Sequence, residues 1–421
     1  SSKTERLNRL SNRHMLNYHI HTLENGLRIV HKPTKRHVSF CGFFVNAGSR
    51  DERQDEYGMA HFVEHMMFKG TKKRKSFHII NRMEAVGGEL NAFTNKEETV
   101  IYSSFLEEDF ERAIELLSDL VFNSQYPQSE VEKEREVIID EIHSYEDSPS
   151  ELIFDEFENL IFRNSELGHN ILGDEKTLNG FDSEKIKTFT QERYNLSQIV
   201  FFSTGNTDFK KIVRLAEKYL APIQTKESTL NREKVIINEA QQITLEKDTN
   251  QAHVIIGSRC YDLHDKRRRT LLLLNNILGG PGMNSRLNIS LREKKGYVYT
   301  VESSITSYSD AGMLSIYFGS DPQNSEKCIK LVQKELKLLR ENKLTSIQLH
   351  RAKKQLIGQI GLNSDNLENT AISLGKSIFL YDKFHSLEEV FHQISQITAD
   401  DLLDVANDIL APDRMTMLSF R

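Results

Sequence analysis

Cysteine is scarce in this chain: Cys41, Cys260 and Cys328 are the only three among 421 residues. An odd and widely spaced set builds no disulfide framework and points to a reducing compartment. Long apolar runs are missing as well. None approaches the length of a membrane span, and no signal-peptide core is present. A strong charge of either sign is absent too, since 55 Lys and Arg against 61 Asp and Glu leave a net charge of −6. That balance gives no electrostatic footprint for nucleic acid and suits neutral or basic peptides. The opening "SSKTERLNRLSNRHM" reads as a solvated tail or as the remnant of a trimmed targeting segment.

What is present is an ordinary globular composition, 28% charged and 38% hydrophobic, on a chain too long for one core. Two alternating runs flank Asn25-Gly26 and predict a hairpin. His19 and His21 share one face of its first strand, where a surface pair is the plainer reading than a chelating one. "VSFCGFFVNAG" predicts a buried strand, and residues 55–69 a helix ending before Gly70. A helix around 76–87, a strand in "GGELNAFTNKEETVIYSSF" and an amphipathic helix in "DFERAIELLSDLVF" follow. Beyond Pro127, Ser129 with Glu132 forms a capping box for a helix that Pro149 ends. More helix runs to about residue 163 and over 182–194, before a strand at "QIVFFSTGN".

The second half replays the first at an offset of about 210 residues. "AHVIIGSRCYD" echoes "VSFCGFFVNAG", and "RTLLLLNNILGG" stands where the helix 55–69 stood. "GYVYTVESSITSY" and "PQNSEKCIKLVQKELKLLRE" complete the echo. The fold class expected is α+β, two homologous domains related by duplication. Each would be an α/β sandwich with an antiparallel-rich sheet covered by helices. The boundaries expected are 1–222, a polar linker 223–238, and 239–421.

Chemistry belongs to the first copy, because the second has no histidine at the matching helix. In "HFVEH", His61 and His65 fall on one helix face with Glu64 beside them. A solvated face fits poorly, because Met59, Phe62, Val63, Met66, Met67 and Phe68 surround them, and buried polar groups need partners. Catalytic zinc takes three protein ligands and keeps one position open. Candidates for the third lie in "EREVIIDEIHSYE", where Glu134 and Glu141 are seven apart and share a helix face. His143 points nearly the opposite way. The acidic run Glu146, Asp147, Glu151, Asp155, Glu156 and Glu158 is a solvated face or a selector for basic peptides. "GGPGMNSRL" lacks the ending of a phosphate loop, which argues against nucleotide binding.

The order "AHFVEHMMFKGT", "GGELNAFTNKEETVIY", "EREVIIDEI", "GGPGMNSRL" and "LREKKGYVY" resembles the pitrilysin and mitochondrial processing peptidase family of inverzincins. The resemblance covers nearly the whole chain and its short, two-domain branch. It implies a zinc endopeptidase with one zinc per chain, held by His61, His65 and Glu141, which lies 76 residues after His65. Glu64 would be the general base, and Glu134 would orient a ligand, its plainer alternative being an ion pair with Lys133 or Arg135. "ELNAFT" would be an edge strand that takes an extended peptide, with Asn91, Ala92 and Phe93 flanking the scissile bond. Arg292 and Tyr299 match the family's assisting pair, with Tyr297 a weaker stand-in for the tyrosine. The resemblance further implies unfolded or presequence-like peptide substrates and a closed chamber built by a homodimer. Its setting would be the bacterial cytoplasm or the mitochondrial matrix. A non-catalytic subunit with a structural or peptide-holding role is the rival, as is a purely structural zinc site.

Overall fold

The computed structural model describes residues 17–228 and 231–421; the basic opening segment, residues 1–15, lies outside them. Two compact units emerge, and they are not the sequence-contiguous stretches 1–222 and 239–421. The first unit runs to Ile139 and adds Ile171–Asn231 and Ser364–Ser386. The second holds Asp140–Asn170, Arg232–Asn363 and Leu387–Arg421. Each half of the sequence has therefore given one segment to the other's unit.

The first unit is built on six strands: β1 (His19–Thr22), β2 (Arg28–Pro33), β3 (Val38–Val45), β4 (Glu89–Thr94), β5 (Thr99–Leu106) and β6 (Ile199–Gly205). Their order is β1-β2-β6-β3-β5-β4. Only β2 and β6 run parallel. Side chains alternate across a strand, so one buried on both faces must be apolar throughout. On β3, Phe43 packs edge-on to Phe122 of the helix Phe110–Asn123, while the next residue, Phe44, meets Phe379 of the helix Leu367–Tyr381. The second of these helices comes from the far end of the sequence. Gly375 lets it approach closely, because a Cβ there would stand 2.7 Å from Phe202 Cδ1.

The second unit repeats the plan with β7 (Gln242–Leu245), β8 (Ala252–Cys260), β9 (Val298–Ser307), β10 (Gly312–Ser320) and β11 (Thr416–Phe420), ordered β7-β11-β8-β10-β9. Again one pair, β7 with β11, is parallel and the rest antiparallel. The order matches β2-β6-β3-β5-β4 strand for strand, which is the duplication written in topology. One face packs on the helices Arg268–Gly279, Ser325–Glu341 and Ala399–Ile409. The other is covered by the helix Pro149–Ile161, whose Phe157 sits over Gly257, 3.0 Å from where a Cβ would be.

Several local expectations shift. The hairpin pairs Thr22 with Arg28, so its turn is longer than Asn25-Gly26. The Asn25 amide leaves the turn to donate to Leu220 O and Ile223 O at 2.9 and 3.0 Å. The motif helix is shorter than 55–69 and spans Met59–Met66, preceded by two single turns at Ser49–Asp51 and Gln54–Glu56. The helix after Pro127 begins at Gln128, which places Ser129 inside it rather than at its cap. Pro149 does not merely end that helix; it opens the next one at its first position. His19 and His21 part company, His19 stacking on Phe209 and His21 Nε2 meeting Glu217 Oε1 at 3.3 Å.

Inside the first unit His31 on β2 is wholly buried. Its Nδ1 lies 3.0 Å from Ser203 Oγ, and its ring is near parallel to Phe209. Burial, reinforced by His19, pushes its pKa down to about 4, against bonds near Ser203 and Thr207 and the charge of Asp208. The native chain thus holds this imidazole neutral where the unfolded chain protonates it. Its contribution is complete above pH 6.5, the ordinary value, and drains away as pH falls toward 4. Urea titrations across that window should show His31→Gln losing up to ~3 kcal/mol less stability than the parent. Equal losses would remove His31 from the acid response.

Candidate metal centre

The motif helix starts where it does for local reasons. Gly58 precedes it at φ +98°, a left-handed conformation, and a Cβ there would lie 2.6 Å from Leu172 O. Only glycine fits. The first amides of a helix lack intrahelical acceptors, and here Glu52 supplies them. Its Oε1 accepts from the Gly58 N–H at 3.0 Å and its Oε2 from the Ala60 N–H at 2.7 Å. Burial drives this carboxyl well above the usual range, against those two amides and Arg193.

The helix so anchored presents His61, Glu64 and His65. His61 is 8% exposed, and burial together with its neighbour His65 takes its pKa down to about 3, which leaves a neutral imidazole. The two Nε2 atoms lie 3.2 Å apart. Zinc–nitrogen bonds of 2.0–2.1 Å in a tetrahedron put two donor nitrogens about 3.3 Å apart, so the pair is spaced as a shared cation requires.

The long helix Gln128–Glu146 supplies the carboxylates. Glu134 Oε2 meets His65 Nδ1 at 3.0 Å, and its Oε1 takes Lys69 Nζ at 2.8 Å. Burial would raise this carboxyl, but the bonds from Lys69 and His65 hold it below its usual value. A carboxylate on Nδ1 fixes the tautomer and turns Nε2 toward the metal position. Two turns on, Glu141 completes a group in which ligand atoms of His61, His65 and Glu141 all lie within 4.8 Å of one another. Among the described residues it is the only such group of three or more. The division into units cuts this helix after Ile139, so Glu141 rides on a helix whose earlier turns belong with the histidines. Two neutral imidazoles and a carboxylate are a donor set that fits zinc.

Glu64 has a fixed neighbour, since Thr94 Oγ1 donates to its Oε2 at 2.6 Å. Thr94 closes β4, the edge strand of the sheet among the described residues. Asn91, Ala92 and Phe93 sit on that edge, half-buried and paired on one side only, with Tyr102, Ile101 and Val100 of β5. Arg292 lies at the end of the helical turn Asn288–Glu293, and Tyr299 is 82% exposed on β9, the corresponding edge of the second sheet. Gly296, at φ +63°, separates the two. His143 is exposed and is not one of the three grouped donors. The acidic run is no single solvent face, because Glu158 accepts from Tyr308 Oη and Glu156 pairs with Lys247 Nζ at 3.7 Å.

Three residues that matter were not read from the sequence: Glu52, Lys69 and Thr94. Lys69 stands four after His65, a spacing that could have flagged it. Glu52 is six residues ahead of Gly58 and follows no capping rule.

A duplicated α+β chain with one His–His–Glu donor set defines the class. Within it, the chain belongs to peptidase family M16. Residues 28–175 match the family described as insulinase (peptidase family M16), and residues 180–356 match the peptidase M16 inactive domain. The uncharacterized zinc protease YmxG of Bacillus subtilis is 32% identical over 395 residues, 93% of this chain and 96% of its own. The uncharacterized zinc protease SCO5738 of Streptomyces coelicolor is 33% identical, covering 92% of this chain and 86% of its own. In fold, the chain matches a peptidase M16 inactive domain from Pseudomonas fluorescens with a TM-score of 0.90 at 21% identity, over 96% of this chain and 98% of the other. A protease from Helicobacter pylori matches equally, TM-score 0.90 and 21% identity, over 97% and 100%. No helix among the described residues is long and apolar enough to cross a membrane.

Proposed function

We propose that the chain is a zinc-dependent endopeptidase acting on unfolded or presequence-like peptides. The observation that carries this reading is the convergence of His61, His65 and Glu141 beside a carboxylate, Glu64, that a threonine of the sheet edge holds in place. His61, His65 and Glu141 would hold one zinc. Zinc in a three-ligand site brings the pKa of a water toward about 7 and polarises a carbonyl.

Glu64 takes the proton of the attacking water and returns it to the leaving amine. Thr94 fixes the carboxylate's orientation for that transfer. Glu134 holds His65 with Nε2 forward. The open edge of β4 receives an extended peptide by main-chain pairing at Asn91, Ala92 and Phe93, which tolerates many sequences. The free thiols of Cys41, Cys260 and Cys328 suit a bacterial cytoplasmic setting.

Metal analysis and peptide digestion test the core of this. Glu141→Gln should retain zinc poorly. Glu64→Gln should keep zinc and melting temperature while hydrolysis of a peptide library falls by roughly 10²–10⁴-fold. Undiminished zinc in the first variant removes Glu141 from the site, and brisk turnover with intact metal in the second removes Glu64 as base. A parent that binds zinc yet cleaves nothing is a non-catalytic subunit.

Arg292 and Tyr299 would donate hydrogen bonds to the developing oxyanion, acting across a homodimer that closes a chamber around the substrate. Both are exposed on the second unit, available to a partner's centre. Co-expression of the inactive parents Glu64→Gln and Arg292→Ala is then expected to restore activity, since a mixed dimer holds one intact metal centre facing one intact Arg292. Verified mixed dimers as inactive as both parents would exclude action in trans.

A further inference from the structure

On the face of the first sheet that Phe43 turns toward Phe110–Asn123, a second helix, Phe209–Tyr219, lies beside that one. The Phe209 ring is near parallel to His31 of β2, and Lys218 Nζ meets Glu111 Oε1 of the neighbouring helix at 2.9 Å. Ile212, Leu215 and Ala216 are its buried residues. Phe209–Tyr219 follows β6, so its counterpart in the second unit would follow β11. Among the described residues no helix does.

The corresponding place, between β7, β11 and the helix Ser325–Glu341, holds a cavity of about 380 Å³. Its floor is a row across three strands, since Met417 of β11 pairs with Gln242 of β7 on one side and with Ile256 of β8 on the other. Its wall is one stripe of the helix, Gln333, Leu336, Lys337 and Arg340. The cavity is apolar at depth, where Ile256, Leu336, Leu410 and Met415 are buried, and polar at the mouth, where Gln242, Gln333 and Lys337 are exposed.

Charge separates the two places. In the first unit the wall helix offers an acid, Glu111, which pairs with Lys218 and lies in the field of Lys211. In the second the wall helix offers cations, and no acidic residue lines the cavity. Arg340 Nη1 donates to Leu410 O at 2.8 Å, and among the described residues the guanidinium meets no carboxylate. Lys337 Nζ stands 3.9 Å from Glu341 Oε1, an exposed pair worth little. A helix seated here as Phe209–Tyr219 is seated in the first unit needs acids where that helix has Lys211 and Lys218. The chain's own opening segment has the wrong sign, with Glu5 against Lys3, Arg6, Arg9 and Arg13.

We propose that this cavity docks an acidic amphipathic helix of a partner protein, its apolar side chains entering over Met417 and Leu336 and its carboxylates meeting Lys337 and Arg340. The site shares no residue with the metal centre and does not depend on the peptidase reading. No covalent step is involved.

Fluorescence anisotropy on the full chain tests it, with Glu64→Gln in place so that no probe is consumed. The probe is a labelled peptide of residues 208–220 carrying Lys211→Glu and Lys218→Glu. A staple between positions 210 and 214 holds it helical, because short isolated helices are marginal in water. It should bind saturably at micromolar concentrations, and the same stapled peptide with both lysines kept should bind about tenfold more weakly or not at all. Ile212→Ser with Leu215→Ser in the acidic peptide should abolish binding. In the chain, Lys337→Glu with Gln333→Glu alters two exposed side chains, so the melting temperature should hold. That variant should weaken the acidic peptide about tenfold and tighten the lysine peptide. The proposal is overturned by the absence of saturable binding of the acidic peptide, by equal binding of the acidic and lysine peptides, or by undiminished binding of the serine peptide. Binding unchanged in Lys337→Glu with Gln333→Glu overturns it too, and places the peptide elsewhere, as a substrate lying on β4 would be.

Discussion

The contact between His65 Nδ1 and Glu134 Oε2, at 3.0 Å, is the constraint on which the centre depends. It joins the short helix Met59–Met66 to the long helix Gln128–Glu146, and in doing so sets their relative register. With Glu134 fixed to one histidine, helical geometry brings the residue two turns later back to the same side. That residue is Glu141. Lys69 on the other oxygen keeps Glu134 ionised, so the acceptor for His65 survives its own burial. An ion pair of this kind adds little as a source of stability once desolvation is counted. Its effect is positional: it makes a three-point donor set out of two helices that share no sequence neighbourhood.

Much of this was legible in the residue order because helical spacing is so regular. His61 and His65 four apart, and Glu134 and Glu141 seven apart, mark two helix faces, while the joining of Glu141 to the histidines came from the family resemblance and not from spacing. The duplication was legible too, since a strand buried on both faces writes a continuous apolar run, and β3 and β8 both do. Illegible were the groups whose partners are set by tertiary approach. Glu52 reaches forward to the Gly58 and Ala60 amides at the start of the motif helix, and no local spacing encodes that. Nor could a pattern of apolar residues say which sheet a helix covers. The stripes on Pro149–Ile161 and Leu367–Tyr381 mark them as half-buried, yet each packs on the unit built by the other half of the chain.

Duplication also explains how the two sheets have diverged in use. Their strand orders correspond from β2 to β4 and from β7 to β9, so β4 and β9 are the same edge in two copies. On β4 the edge residues lie next to Thr94 and through it to Glu64. On β9 the corresponding edge carries the exposed Tyr299. The helix that follows β3 kept polar residues facing the sheet edge, whereas its counterpart Arg268–Gly279 turned Leu271, Leu273, Leu274 and Leu278 inward. One copy retained the donors, and the other put its buried face wholly into packing.

The exchanged helices have a bearing on the order in which the chain can fold as it is made. Phe44, Val200 and Phe202 of the first sheet are covered by Ala371, Leu374 and Ile378, and Ala371 is made 166 residues after Gly205, which ends the last strand of that sheet (371 − 205). Until then one face of the N-terminal sheet is an exposed apolar surface, the sort of surface that draws chaperones or sticks to other nascent chains. The second sheet waits as well: Pro149–Ile161 is made before its strands, but β11, which lies between β7 and β8, and the helix Ala399–Ile409 on its other face are made after Ile378. Vectorial synthesis therefore lets neither sheet close its core when its first strands are made, and the sheet beside His61 and His65 keeps one face open until Leu367–Tyr381 has been made.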